Sequence, residues 1–247
     1  MPEVSTLDGW IWIAAVFMLA GLVKGVIGLG LPTVAMALLA LGMSPAQAAA
    51  LLLVPSLLTN VWQCRPWHSL PALLRDTWPL HLGIFFGTLV IGAWLGAPAG
   101  ALAGVLLGMV LVAYAAIGLR GWRWRSATRA SGLPAGLVTG ALTAMTGVFV
   151  VPAVPWLQGR IDARARLVQA MGLAFTVATV ALGLQLAMHD ALAAGRLGIS
   201  LLLVVPALHG MALGAWLRAR LSATLLRRCF FGGIGGLGAW MMMRALA

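Results

Sequence analysis

The sequence is short of acid. Its 247 residues hold five aspartates and glutamates against sixteen lysines and arginines, and charged residues make up only 9%. A soluble globular domain carries about 25% charged residues. So few charges cannot cover a water-facing surface of this size, which excludes a soluble enzyme, a soluble DNA-binding domain and a disordered chain. Cysteine is scarce too. Cys64 and Cys229 stand far apart, without CxxC or metal-ligand spacing. They support neither a disulfide framework nor a zinc site, and reduced thiols near the cytoplasm are expected. Carboxylates are missing from the apolar stretches: Asp76, Asp162 and Asp190 read as loop or interface positions. Cation carriers hold their ions with buried acids, so a metal ion or organic cation is not the expected substrate. GxSxG, HExxH, Walker A and paired-aspartate patterns are also absent. That argues against an intramembrane enzyme and an ATP-driven motor, and no cofactor is expected.

What is present is apolar. Hydrophobic residues make up 62% of the chain, with a mean hydropathy of +1.02. A membrane barrel would need alternating strands of ~10 residues and a polar interior, whereas this chain has long apolar runs. An all-α integral membrane protein follows. The net charge of +11 does not signal nucleic acid, because the arginines cluster between apolar runs, the usual mark of cytoplasmic loops. The expected partners are the lipid bilayer and a small anionic substrate, and the chain is compatible with a homodimer. The acidic start lacks the basic region of a signal peptide, so the first apolar run is expected to stay in the mature protein.

Ten apolar segments are legible: 9–29, 31–43, 46–63, 77–96, 98–119, 132–145, 147–158, 165–188, 197–217 and 223–245. A spanning helix needs ~20 apolar residues. Segments 31–43, 132–145 and 147–158 are too short, so 9–43 and 132–158 read as Gly/Pro-broken hairpins entering and leaving on one side. Loop 64–76 holds Arg65 and Arg75; loop 120–130 holds Arg120, Arg123, Arg125 and Arg129. Loop 159–166 holds Arg160, Arg164 and Arg166; the stretch 218–228 holds Arg218, Arg220, Arg227 and Arg228. These are thirteen of the sixteen bases, leaving Lys24, Arg196 and Arg244. With two hairpins, all thirteen fall on one side, which the positive-inside rule names cytoplasmic. Glu3, Asp8 and Asp190 then face outward, both termini are periplasmic, and Arg244 is a small violation.

Each half is then one hairpin plus three transmembrane helices. Three is odd, so the halves form two inverted repeats: residues 1–119, an Arg-rich cytoplasmic linker 120–131, and residues 132–247. Ala20-Gly21-Leu22-Val23 with Gly25 matches Ala135-Gly136-Leu137-Val138 with Gly140, and Gly92-Ala93-Trp94-Leu95 matches Gly214-Ala215-Trp216-Leu217. Inverted repeats with interrupted helices are common among secondary transporters.

Several residues could carry chemistry. Glycine and proline break the run Gly21 to Pro32. In lipid such a break must be buried in protein or line a wet cavity. Gly25, Gly28 and Gly30 could therefore frame an anion site at a helix N-terminus, or serve close helix packing. Lys24 is the base placed well inside an apolar segment, and a buried charge is by default a functional-site hypothesis; the alternative is a snorkelling or neutral lysine. In the second hairpin Thr139, Thr143, Thr146 and Gly147 could donate to an anion, or the threonines could bond back to their own helix. Asn60 and Gln63, three apart, share a helix face. Gln47, Gln169, Thr176 and Gln185 are further polar candidates. His81 and His209 could relay protons or simply pack, and they lack an obvious nucleophile. Trp10, Trp12, Trp62, Trp67, Trp78, Trp122, Trp124 and Trp240 read as interfacial belts.

These residues resemble the sulfite exporter TauE/SafE family, also called the toluene sulfonate uptake permeases. The resemblance rests on Ala20 to Pro32, Ser44-Pro45-Ala46-Gln47-Ala48-Ala49-Ala50, Pro55-Ser56-Leu57-Leu58-Thr59-Asn60-Val61-Trp62-Gln63, and Ala135 to Pro152. It covers nearly the whole chain. It implies a bacterial inner-membrane transporter of sulfite, sulfonates or carboxylates. Family members often carry a longer glycine run than Gly28-Leu29-Gly30-Leu31-Pro32. On this reading the two hairpin breaks meet near the midplane, with Lys24 supplying charge and Asn60, Gln63, Thr143 and Thr146 supplying hydrogen bonds. A non-transporting assembly or accessory protein is the alternative, and polar residues at segment centres weigh against it.

Overall fold

The computed structural model describes residues 7–125, 127–192, 194–218, 220 and 222–246, and these contain helices and no strand. Glu3 and the side chain of Arg196 lie outside the described residues. The first half holds α1 (Leu7–Ile27), α2 (Leu31–Leu39), α3 (Pro45–Gln63), α4 (Leu70–Leu95) and α5 (Gly100–Arg120). The second holds α6 (Gly132–Thr146), α7 (Ala153–Arg160), α8 (Arg164–Met188), α9 (Ala194–Leu202), α10 (Val204–Arg218) and α11 (Ala223–Leu246).

Four boundaries differ from the sequence expectation, one of them the end of α2 at Leu39 rather than at 43. α4 begins at Leu70, so Arg75 and Asp76 are helical rather than in a loop. Pro71 suits the first turn of a helix, where its missing N–H costs nothing. Segment 147–158 is helical only from Ala153. Gly147 (φ 72°) ends α6 in the left-handed conformation that glycine adopts without strain. Pro152 then disfavours helix at Val151. Segment 197–217 is divided at Leu203 into α9 and α10, because Pro206 removes the donor to the carbonyl four residues back.

Among the described residues, six stretches are long and apolar enough to span a membrane: α1, α3, α4 with the turn before it, α5, α8, and α9–α10 together. α1, the first arm of the expected hairpin, has 21 residues and reaches roughly 30 Å, a full hydrocarbon thickness. Large apolar side chains such as Leu58, Phe86, Val90 and Leu202 are exposed on the outside, as a lipid-facing surface requires. Trp62 and Trp216 are also exposed and stack under Arg65 and Arg220, with ring-to-guanidinium distances of 3.6 and 4.1 Å. The core joins Phe17, Leu31, Met36, Leu52, Trp156 and the ring pair Phe149–Phe175 (5.2 Å).

Glycine sets how the helices pair. Gly21 and Gly25 of α1 lie against the backbone of Ala207 and Met211, while Gly210 and Gly214 of α10 lie against Met18 and Leu22. The same arrangement recurs between α4 and α6. Gly83 and Gly87 meet Leu133 and Leu137, and Gly136 and Gly140 meet Leu80 and Ile84. In both pairs numbering rises together, so the helices run parallel. The motif behind this is Pro79-x3-Gly83-x3-Gly87 and Pro206-x3-Gly210-x3-Gly214. The Gly92 and Gly214 tetrapeptides are therefore not packing equivalents: Gly92 sits on Gln185, whereas Gly214 sits on Leu22. By contrast α3 with α8 and α5 with α11 run antiparallel, as the contacts of Gly172 with Gln63, Gly183 with Leu53, Gly108 with Gly238 and Gly118 with Phe231 show.

The arginine-bearing stretches meet at one end of the bundle. Arg160 pairs with Asp76 at 2.5 Å and donates to the Ala127 carbonyl. Arg123, Arg164, Arg218 and Arg227 line one cavity.

Candidate anion site

Lys24 lies in the last turn of α1 and is 2% exposed. A cation there complements the free carbonyls of the helix C-terminus. Its Nζ donates to Thr59 Oγ1 at 2.9 Å and to Asn60 Oδ1. It does not snorkel. Asn60 is oriented in turn: Nδ2 donates to Ser56 Oγ at 3.0 Å and Thr179 Oγ1 at 3.4 Å, and the two hydroxyls lie 3.2 Å apart. The buried polar cluster therefore ties α1 to α3 and α8. Every partner of Lys24 is neutral, and among the described residues the one salt bridge is Arg160–Asp76. A buried ammonium without a counter-charge is costly.

Immediately after Lys24 the helix breaks. Gly28 (φ 90°) and Gly30 (φ 112°) take positive φ values that glycine tolerates. Gly30 precedes α2 without any side-chain cap, and Pro32 occupies its first turn. Thr33 also sits there, fully buried, with a hydroxyl that has no partner. The sequence reading missed Thr33; a hydroxyl directly after a helix-starting proline was the available signal. Gln63 does not reach Lys24. Its Nε2 donates to the Gly28 carbonyl at 2.6 Å, satisfying the broken backbone, while its buried Oε1 has no partner.

The second hairpin is built differently. Thr143 and Thr146 donate to the carbonyls of Thr139 and Leu142 at 2.7 and 2.6 Å. Thr139 donates to Ala135 and accepts from the backbone of Ala153 at 3.1 Å. These hydroxyls satisfy local backbone, and none bonds to the Lys24 cluster among the described hydrogen bonds. Gly147 packs on Met36 and Ala49. Gln185 plays the part of Gln63 here. Its Nε2 donates to Gly96 at 2.8 Å and Ala144 at 3.0 Å, and its Oε1 is likewise buried and unpartnered.

The two breaks do not meet near the midplane, as the sequence had suggested. Val26, Ile27 and Leu29 line the cavity that also holds Arg123, Arg164, Arg218 and Arg227, so the first break lies toward the arginine end. The second lies toward the opposite end, where Gln185 and His189 bond the backbone of Gly96 and Gly92. The physical reason is the parallel course of α1 with α10 and of α4 with α6. Each break falls beside the end of its partner helix, and those two ends are opposite.

The remaining candidates are placed as follows. Gly25 packs on α10. Gln47 forms a capping box with Ser44 at the start of α3. Gln169 clamps the 64–69 turn through Cys64, Pro66 and Ser69. Thr176 donates to its own helix at Gly172. His81 is buried, 2.9 Å from Thr77 Oγ1 through Nε2, with Nδ1 unpartnered. His209 lies on the exposed side of α10, its Nδ1 2.9 Å from the Val205 carbonyl. Cys64 is buried and Cys229 exposed, both free thiols.

An all-α bundle with six membrane-length apolar helices among its described residues is that of a multi-pass membrane protein, and the family match adds the class of membrane transporter. The sulfite exporter TauE/SafE family matches residues 13–241, nearly the whole chain, and the chain belongs to that family. No curated protein and no solved structure matches it.

Proposed function

We propose that this protein is a secondary transporter moving a small sulfur-containing or organic anion, such as sulfite or a sulfonate, across the bacterial inner membrane. One observation carries the reading: Lys24 is buried with only neutral partners at a helix break. A mobile anion supplies the missing counter-charge. The open N-terminus of α2 and the unpartnered Thr33 hydroxyl supply donors on the same break. Asn60 and Gln63 act by orienting Lys24 and the Gly28 carbonyl. Thr143, Thr146 and Gly147 shape the second hairpin.

The halves 1–119 and 132–247, joined by linker 120–131, are proposed as inverted repeats. Two features support this. Exchanging α1 for α6, α3 for α8, α4 for α10 and α5 for α11 maps the helix pairing onto itself. The equivalents α3 and α8, and α5 and α11, run antiparallel. One half moving against the other would give alternating access. By the positive-inside rule the arginine end is cytoplasmic and both termini are periplasmic. His81 is the stronger proton-coupling candidate, being buried with a free ring nitrogen, while His209 is exposed. A homodimer is the proposed assembly.

The test is flux into liposomes holding the purified protein, under a pH or voltage gradient, with sulfite, thiosulfate, sulfoacetate and simple carboxylates. Saturable flux of at least one of these anions is expected. No flux of any of them would favour the non-transporting reading.

A further inference from the structure

The arginine end holds a cavity of about 400 Å³ that the Lys24 site does not explain. Arg123, Arg164, Arg218 and Arg227 line it, drawn from three separate arginine-rich stretches of the chain. No acid lines it, and none of the four is paired with a carboxylate among the described residues. Like charges crowded around one opening repel one another, and a bound anion relieves that repulsion. Guanidinium groups are matched to oxyanions through paired N–H donors.

A second, independent feature lies on the inner wall. Tyr114 is the single tyrosine of the chain. It lines the same cavity, is 2% exposed, and its hydroxyl has no hydrogen-bond partner. Its ring is held edge-on by Phe230 and Phe231, with centroids at 6.3 and 5.1 Å. Arg227 is fixed beside it, Nε donating to the Gly118 carbonyl at 3.0 Å. A buried hydroxyl without a partner is unfavourable, and this one belongs to a residue that lines the cavity. Apolar residues Val26, Leu29, Val168 and Met171 complete the wall. Lys24 is not among the residues that line the cavity and is itself 2% exposed. A single water takes about 30 Å³, so the space admits a small oxyanion with part of its hydration shell.

We propose that this vestibule is a distinct anion-binding site, which recruits a free small oxyanion at the arginine end through the four guanidinium groups and the Tyr114 hydroxyl before it reaches Lys24. The inference rests on the anion-transport reading for its purpose, but its binding arm does not require flux. The test places the protein in phosphatidylcholine nanodiscs and measures binding of radiolabelled sulfite. It uses the Lys24→Ala background, so that the vestibule is read alone. Saturable binding that weakens steeply with salt is expected. In the same background Tyr114→Phe should weaken it about tenfold, and Arg164→Gln with Arg218→Gln should abolish it at the same sulfite concentration. In liposomes with Lys24 intact, those arginine changes should raise KM from the arginine side about tenfold, more than they change kcat, and leave KM from the other side in place.

Unchanged binding in both variants, with matching unfolding midpoints, would overturn the proposal. So would binding of phosphatidylglycerol with no binding of sulfite, which would make the occupant a lipid headgroup. Vestibule binding in a protein that moves no anion would support the site while refuting the transport reading. Flux that survives with no vestibule binding would do the reverse.

Discussion

Replacing Gly21 with alanine puts a methyl group 2.1 Å from the Ala207 carbonyl oxygen and 2.9 Å from its carbon. Real Cβ contacts do not fall below 3.0 Å, and the obstacle is backbone rather than a flexible side chain. α1 and α10 must therefore part by roughly 1 Å along a seam that also includes Gly25, Gly210 and Gly214. Overpacking of this kind costs about 1–3 kcal/mol. The gain of alanine over glycine in a helix interior is about 1 kcal/mol at most, so it does not offset the clash. Gly236 in α11 supplies the control, because a Cβ there meets nothing within 4 Å; Gly236→Ala should gain up to about 1 kcal/mol. Thermal unfolding in detergent reads the contrast, at about 2–4 °C per kcal/mol for a chain of this length. Gly21→Ala should unfold several degrees below wild type, and Gly236→Ala at or slightly above it. If both variants unfold at the same temperature, the seam is not as tight as the argument requires. Gly136→Ala, facing Leu80 at 2.2 Å, should repeat the result on the α4–α6 seam.

Other outcomes follow from the same structure. Gln63→Leu strands the Gly28 carbonyl and should cost about 1–3 kcal/mol, read as a lower unfolding midpoint together with reduced flux. Thr143→Val removes a hydroxyl that serves only its own helix, so stability should change by less than about 1.5 kcal/mol and flux should stay near wild type, whereas Thr146→Val also strands the Val148 N–H in the break and should lower the unfolding midpoint further. Asp76→Asn removes a partly exposed ion pair with Arg160 and should cost no more than about 1 kcal/mol, measurable as a small midpoint shift that shrinks in salt. A membrane-impermeant maleimide should label Cys229 and spare Cys64 until unfolding, and should reach Cys229 only from the cytoplasmic side.

The sequence made the helices legible where length and hydropathy agree. Residues 46–63, 98–119 and 165–188 became α3, α5 and α8 with ends shifted by a residue or two. It misled where a charge pair interrupts a helix: Arg75 and Asp76 read as loop, yet they sit on the first turns of α4, with Asp76 held by Arg160. Lys24 was legible because one cation in an apolar run is conspicuous. Its partner Asn60 was legible from its own helix, but their contact was not, since it joins residues 36 apart. The repeat was half legible. Gly21 with Gly25 and Gly136 with Gly140 were matched, whereas Gly83, Gly87 and Gly210 were passed over and Gly214 was matched with Gly92, which packs on a different partner. The placement of the two breaks at opposite ends was hidden, because it depends on which helices run parallel. Tyr114 was invisible for a related reason, since only the surrounding fold shows that its hydroxyl is buried and unpartnered, while Thr33 offered its place after a helix-starting proline but not its burial.

The central claim is that Lys24 supplies the charge that an anion neutralises during transport. Flux of the best anion should be compared in liposomes between wild type, Lys24→Ala and Lys24→Met, the last keeping the length of the side chain. Losing a charged hydrogen-bond donor of this kind is worth about 1.5–3 kcal/mol, so both variants should lose about tenfold to a hundredfold in kcat/KM while keeping a folded elution profile. Wild-type flux in either folded variant would contradict the account.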